Sequence, residues 1–407
     1  MFGLVGASAP NPNTLKAPIT WFHLPAMSGA VSGAAISVAI VLSCVGTLRL
    51  LNAHAQGWKP DPRILFGAGA CAVMALANFT PIGSSDTASY AAYGRIAALG
   101  GDPYVTTPAQ LGGVYAQLVS DTWRHSPSVY GPVATWWQAA AAFVGGDRPW
   151  LTVWALMLAN AVAFLGTGYL LIRTAADPVR AALLWSANPL LIGVLVGGGH
   201  LDTLVAVLAV GAVHMARRAR GWHTDLIVGG LVGLVCCVKI SGALVGVGLV
   251  WPLLCGGAWQ RAVRVAGAGV LTLTVLYAAY GLHALDPLTA ASHMVSKTSL
   301  WAVYAPFATA LAGPAEAMAS VSILWPLLTL GLALVLHRYL PPEAPPVVTV
   351  PFALAFAWIL AAPWTMPWYA ALACALAALF CQLRLTQLLI AATAVLSLFH
   401  NSGGHGW

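Results

Sequence analysis

Charge is what this sequence has least of. Of its 407 residues only 7% are charged, and 11 are acidic, where a soluble domain carries roughly 25% charged residues. Hydrophobic residues make up 59%, and the mean hydropathy is +0.81. This scarcity excludes a soluble globular enzyme and defines an all-α polytopic membrane protein. A net charge of +7 and a pI near 9.2 do not point to nucleic acid. The Lys and Arg residues cluster in short loops between apolar runs, as the positive-inside rule requires, so no nucleic-acid partner is expected.

Signature motifs are missing too. There is no P-loop, no GxGxxG, no HExxH and no Asp-x-Asp, so neither a nucleotide-fuelled reaction nor a metal site has a motif, and no cofactor or metal is expected. Solenoid periods are absent, as is the inverted repeat that many transporters use. The seven cysteines (Cys44, Cys71, Cys236, Cys237, Cys255, Cys374 and Cys381) all lie in apolar runs. They read as small hydrophobes rather than a disulfide framework or metal ligands. The first 28 residues hold no sustained apolar core, so a cleavable signal peptide is not expected and the first span serves as the signal.

What is present is a succession of apolar runs. They fall at 29–50, 63–82, 129–145, 150–172, 181–198, 201–216, 226–255, 263–282, 301–313, 318–337, 348–362, 367–382 and 386–400. At about 20 residues per span, these give about 12 to 14 spans. The 226–255 run is too long for one span and carries Lys239 in its middle. It reads as two short helices broken near Lys239-Ile240-Ser241-Gly242. No soluble domain follows, so the chain is expected to be one integral membrane domain over 1–407. Arg49, Lys59 and Arg63 flank one loop; Arg217, Arg218 and Arg220 flank another; Arg261 and Arg264 a third; Arg338 a fourth. These loops are assigned to the cytoplasm, which puts 83–129 outside. Full spans at both 129–145 and 150–172 would carry Arg173 and Arg180 outside as well. Either one of these segments is a half-span or that loop departs from the rule.

The polar interruption from Gly83 to Val129 holds three of the 11 acidic residues, Asp86, Asp102 and Asp121. Asp86 to Leu99 reads as a short amphipathic helix along the membrane surface, with Asp86, Tyr90 and Tyr93 on one face at i, i+4 and i+7. Gly100-Gly101 ends it, and Arg95 near its C-terminus suits the helix dipole. Asp86 has two readings, a general base facing a cleft and a helix cap in Ser84-Ser85-Asp86. Asp102 precedes Pro103 and shapes a turn; Asp121 has no motif. His200-Leu201-Asp202 follows three glycines and suits either a sugar- or phosphate-binding role or a polar span boundary with Asp202 as cap. Lys239, an intramembrane charge, is a functional candidate with a lipid phosphate as partner, or else it snorkels to a headgroup. Arg95, Arg124, His125, His293 and Lys297 are further phosphate candidates. Tyr130-Gly131-Pro132 and Pro363-Trp364-Thr365-Met366-Pro367-Trp368-Tyr369 suit an interfacial belt or sugar stacking.

Taken in order, Asp86-x-x-Ser-Tyr-Ala-x-x-Gly-Arg, Gly-x-Asp-Pro-Tyr, Ser126-Pro127-x-x-Tyr130-Gly131-Pro132, Asn188-Pro189-Leu, Gly-Gly-His200-Leu-Asp202 and Pro367-Trp368-Tyr369 form a recognisable series. Over about residues 60 to 385 the chain resembles the actinobacterial polyprenol-phosphate-mannose-dependent α-1,6-mannosyltransferases of lipomannan assembly, which are C-type (GT-C) glycosyltransferases. The resemblance implies a GT-C bundle with a large extracytoplasmic catalytic loop at 83–129, in a multi-pass protein of the bacterial plasma membrane. It implies a polyprenyl-phosphate sugar donor, a glycan or glycolipid acceptor, and transfer with inversion at the outer face. Asp86 then corresponds to the catalytic acid residue of the first outer loop, acting as general base. Arg95, Lys239 or Lys297 would stabilise the leaving phosphate. Tyr90 and Tyr93 would frame the cleft, His200 and Asp202 orient hydroxyls, and Trp368 and Tyr369 offer rings to a sugar. The alternatives are an arabinofuranosyltransferase using polyprenyl-phosphate-arabinose and, from other classes, a lipid or sugar transporter or flippase, or a membrane scaffold.

Overall fold

The computed structural model describes residues 1–8, 24–218 and 221–401. Among them there are helices and turns and no strand, as the backbone economy of a bilayer demands. Arg220 of the expected basic loop, and most of the segment before residue 24, lie outside the described residues. The apolar runs become five helices long and apolar enough to cross a membrane: Gly29–Ala55, Pro149–Thr174, Pro178–Val196, Pro314–His337 and Leu383–His400. A bent pair, Trp259–Tyr277 with Leu282–Ala291, turns by 108°, and six further apolar helices are shorter. Large side chains such as Phe143, Val303 and Phe399 stay exposed on outward faces, where lipid is the natural solvent. The interior is packed with small residues: every position from Ala370 to Ala377 is buried.

The 226–255 run breaks where expected. Trp222–Val238 ends as Lys239 turns extended, and a 3-10 turn over Ile240–Gly242 leads into Ala243–Cys255. The Pro178–Val196 span is irregular for a local reason. Pro189 brings no N–H, and the Asn188 side chain accepts from Leu190 and Leu191 N–H in its place. Wider π-turns flank this break at Ala182–Ser186 and Ile192–Val196, and π-turns recur beside functional sites. The Thr47 hydroxyl donates to the Asn188 side-chain oxygen Oδ1 at 3.2 Å, pinning the kink to the first span.

The 129–145 run does not carry the chain away from the polar segment. It is a 14-residue helix, Pro132–Gly145, and both its ends stay with the 83–129 segment. Near its start the Thr135 hydroxyl hydrogen-bonds with the Tyr104 hydroxyl at 3.0 Å. At its end Tyr115 Oη donates to Gly146 O at 2.7 Å. The Pro149–Thr174 helix therefore begins on the polar-loop side, and Arg173 lies at the opposite end. Arg180 is no loop charge at all: it is buried, and its guanidinium donates to the carbonyls of Ala377 and Phe380 and to the Thr386 hydroxyl. These contacts tie its helix to the last two of the chain.

The expected surface helix is corrected. Asp86–Ala98 is a helix, and Gly100 at φ 80° follows its end as anticipated. Yet Thr87 through Gly94 and Ile96 are all buried. Its small residues, Ala88, Ala91 and Ala92, let the Pro132–Gly145 and Pro149–Thr174 helices close over it. Low side-chain bulk on several faces is what permits burial on several sides, where the sequence suggested a single apolar face.

Candidate active site

Several helix ends and one linker converge on a cleft of about 640 Å³. The Asp86–Ala98 helix contributes Asp86 from its first turn, and the break after Val238 contributes Lys239. The linker between Pro346–Ala361 and Ala370–Ala377 contributes Trp364, Trp368 and Tyr369, and the end of Leu383–His400 contributes His400. The remaining wall is largely aromatic: Trp123, Tyr130, Trp325 and Trp358.

The Asp86 carboxylate keeps 18% side-chain exposure and faces this space. Tyr90, one turn on, donates its hydroxyl to Oδ2 at 3.3 Å, so the i, i+4 pairing read from sequence is real. His200 Nδ1 also lies 3.3 Å from Oδ2, close enough for an ion pair but without an aligned hydrogen bond. Burial pushes this carboxyl up. The histidine, with Lys239 and His400 beyond it, outweighs burial and holds the group below the ordinary carboxylate range. Asp86 is thus ionised at neutral pH. Ser85 stands at the cap position, and Asp86 opens the first turn.

Lys239 neither snorkels nor waits unpaired. Its ammonium donates to both oxygens of Asp202 at 3.0 Å and sits 3.7 Å from the centre of the Tyr369 ring. Side-chain exposures of 12% for Lys239 and 6% for Asp202 make this a buried pair. Asp202 gives its carboxylate to Lys239 rather than to capping its own helix. Trp368 stacks on His200 with centroids 3.7 Å apart and planes at 12°, and presents an edge to His400 at 4.9 Å. Tyr369 stacks on Trp358 at 5.1 Å.

The sequence-derived set therefore divides. Asp86, Lys239, Trp368 and Tyr369 line the cleft, with Tyr90, His200 and Asp202 immediately behind them. Tyr93, Arg95 and Lys297 are not brought to it. Tyr93 donates its hydroxyl to Ser126 O at 3.0 Å and locks the loop. Arg95 pairs with Asp147 and lies over Tyr115, and Lys297 is exposed. Arg124 pairs with Asp121. The sequence reading missed His400, Trp325 and Trp358. A lone histidine ending an apolar run, and tryptophans within such runs, carry no local signal that separates them from interfacial anchors.

Gly131 joins the two chemical walls. A Cβ there would lie 2.2 Å from Cys237 O, so only glycine lets the Tyr130 turn lean on the backbone just before Lys239. Gly131→Ala should destabilise the protein by about 1–3 kcal/mol, read as a lower thermal-unfolding midpoint in detergent. An unchanged midpoint would mean that the two walls are not coupled here.

A helical bundle whose span ends enclose one ionised carboxylate and one paired lysine within an aromatic cleft defines a polytopic membrane protein with a built polar site at one end. The profile of the alpha-(1->6)-mannopyranosyltransferase N-terminal domain matches residues 1–255, more than half of the chain, and the chain belongs to that family. It is 28% identical over 184 residues to alpha-(1->6)-mannopyranosyltransferase A of Corynebacterium glutamicum, covering 44% of this chain and 36% of that protein. To alpha-(1->6)-mannopyranosyltransferase B of the same organism it is 29% identical over 248 residues, 54% of this chain and 40% of the relative. An alpha-(1->6)-mannopyranosyltransferase of Mycobacterium tuberculosis shares 34% identity over 148 residues, 34% of this chain and 24% of its own length. The matches thus span well under two thirds of these relatives. No solved structure matches the chain.

Proposed function

We propose that the protein is an inverting mannosyltransferase that moves a mannosyl residue from polyprenyl-phosphate-mannose to a glycan or glycolipid hydroxyl at the extracytoplasmic face. One observation carries the reading: Asp86 and Lys239 face the same aromatic-lined cleft. In the proposed step Asp86 accepts the proton of the acceptor hydroxyl. The acceptor oxygen bonds to the sugar C1 as the C1–O bond to phosphate breaks on the opposite face. Polyprenyl phosphate departs as an anion, and Lys239 stabilises the charge that develops on it. The Trp and Tyr rings of the wall suit the flat apolar faces of a sugar. Sidedness has its own support. Helices that end at the cleft or beside it, through Asp202, through the bent continuation to Ala291 and through His400, carry basic residues at their other ends: Arg217 and Arg218, Arg261 and Arg264, and Arg384, the distribution expected of cytoplasmic ends.

The test is to reconstitute the purified protein in bilayers with labelled polyprenyl-phosphate-mannose and α-mannoside acceptors, then determine the linkage formed. An α-1,6 product is expected. Transfer only from polyprenyl-phosphate-arabinose would make it an arabinofuranosyltransferase. Uptake of substrate into vesicles with no product formed would make it a transporter.

A further inference from the structure

His200 does not line the 640 Å³ cleft. It borders a separate void of about 40 Å³ behind Asp86, shared with Phe2, Ile82 and His400. Its ring is 1% exposed, so a substrate in the cleft meets Asp86 and not His200. The imidazole and the Tyr90 hydroxyl converge on the same atom: both stand 3.3 Å from Asp86 Oδ2. No donor among the described residues reaches Oδ1.

The imidazole is held there by everything except a hydrogen bond of its own. Trp368 covers one face in a parallel stack. Gly199, at φ 65°, turns the chain just ahead of it, and a side chain on Gly198 would strike His200 Nε2 at 2.5 Å. The backbone N–H of His200 donates to Leu195 O, at the end of the second π-turn. Nδ1 is buried and faces Asp86 Oδ2 at 3.3 Å without an aligned hydrogen bond, so it is the packing around the ring that sets its direction, the form preorganisation takes.

We propose that His200 is a positioning residue for Asp86: with Tyr90 it engages Oδ2, so that Oδ1 is the oxygen offered to the acceptor hydroxyl. The inference rests on the reading of Asp86 as the base. His200 itself neither gains nor loses a proton in the step; the acceptor proton ends on the Asp86 carboxyl. The charged and titratable groups around that carboxylate are His200, Tyr90, Lys239, Asp202 and His400, with the Tyr130, Tyr369 and Tyr93 hydroxyls.

The test compares His200→Asn, His200→Gln and His200→Ala in the reconstituted enzyme with labelled polyprenyl-phosphate-mannose. Asparagine keeps a donor near the Nδ1 position and glutamine moves it toward Nε2, while all three lose the stack on Trp368. His200→Gln and His200→Ala should lower kcat by about 100-fold, the effect of a misplaced reacting group, with donor KM unchanged. His200→Asn should recover most of that loss. Equal losses in the Asn and Gln variants, or a raised KM at constant kcat, would overturn the proposal. If the wild type shows no transfer from this donor, the functional reading fails by itself. The pairing is then judged from thermal unfolding of Asp86→Asn, His200→Gln and the double variant. Non-additive midpoint shifts support it, and additive shifts overturn it.

Discussion

On the proposed mechanism, Asp86→Asn should lower mannosyl transfer by roughly 1,000-fold, within the range of a lost general base, and leave the fold and donor binding intact. Asparagine matches the carboxylate in shape and still accepts from the Tyr90 hydroxyl, which lies 3.3 Å from Oδ2. What it loses is the capacity to take a proton. The neighbours also set the pH dependence. His200, Lys239 and His400 more than offset burial and hold the Asp86 carboxyl below the usual carboxylate range. The carboxyl therefore stays ionised as pH falls below the point where an ordinary aspartate protonates, and if Asp86 is the base the acid limb of the rate should lie correspondingly low. The linked stability has the same sign: it is present above the unfolded pKa and lost as pH falls through the folded one. Steady-state rates across acidic pH, with circular dichroism and donor binding on the variant, check all three points. Transfer that persists in Asp86→Asn removes the base from this position.

The second large effect concerns the Lys239–Asp202 pair. Both side chains are nearly enclosed, and both carboxylate oxygens are bonded to the ammonium. Lys239→Met strands a buried carboxylate and should destabilise by about 3–5 kcal/mol, as breaking one side of a buried pair does. Asp202→Asn strands the ammonium instead, held only by the Tyr369 ring and a neutral amide. A Lys239→Met/Asp202→Leu double variant removes both charges and should regain most of the stability. It should not regain transfer, because the cation that faces the cleft has gone. Thermal unfolding and transfer rates on the three variants separate the roles. A double variant that is both stable and active would reduce Lys239 to a packing element.

What the sequence made legible was local. The Asp86–Tyr90 contact follows from helix spacing, the break at Lys239 from a run too long for one span, and the helix end before Gly100 from glycine itself. What it hid was tertiary. Asp202 and Lys239 are 37 residues apart and meet only because their helices pack side by side. His400 reaches Gly83 O, at 3.2 Å, across 317 residues. Arg95, a phosphate candidate by charge, was already paired with Asp147, whose distance in sequence conceals it. The Pro132–Gly145 helix is apolar enough to suggest a crossing, and only its two end contacts reveal that it returns to the loop. Periodicity reports which face of a helix is apolar and says nothing of which neighbour covers it.

The cleft also has a seam. Asp86, His200, Asp202 and Lys239 all fall within residues 1–255, the stretch that the family profile covers. Trp325, Trp358, Trp364, Trp368, Tyr369 and His400 all come from the helices after it. The charges, with Trp123 and Tyr130, and the remaining rings are thus carried by different lengths of chain that meet across one cavity. Exchanging the later helices between relatives replaces the surface that greets a ligand while leaving the charged groups in their own frame, and the seam near residue 255 is where such a graft is cut.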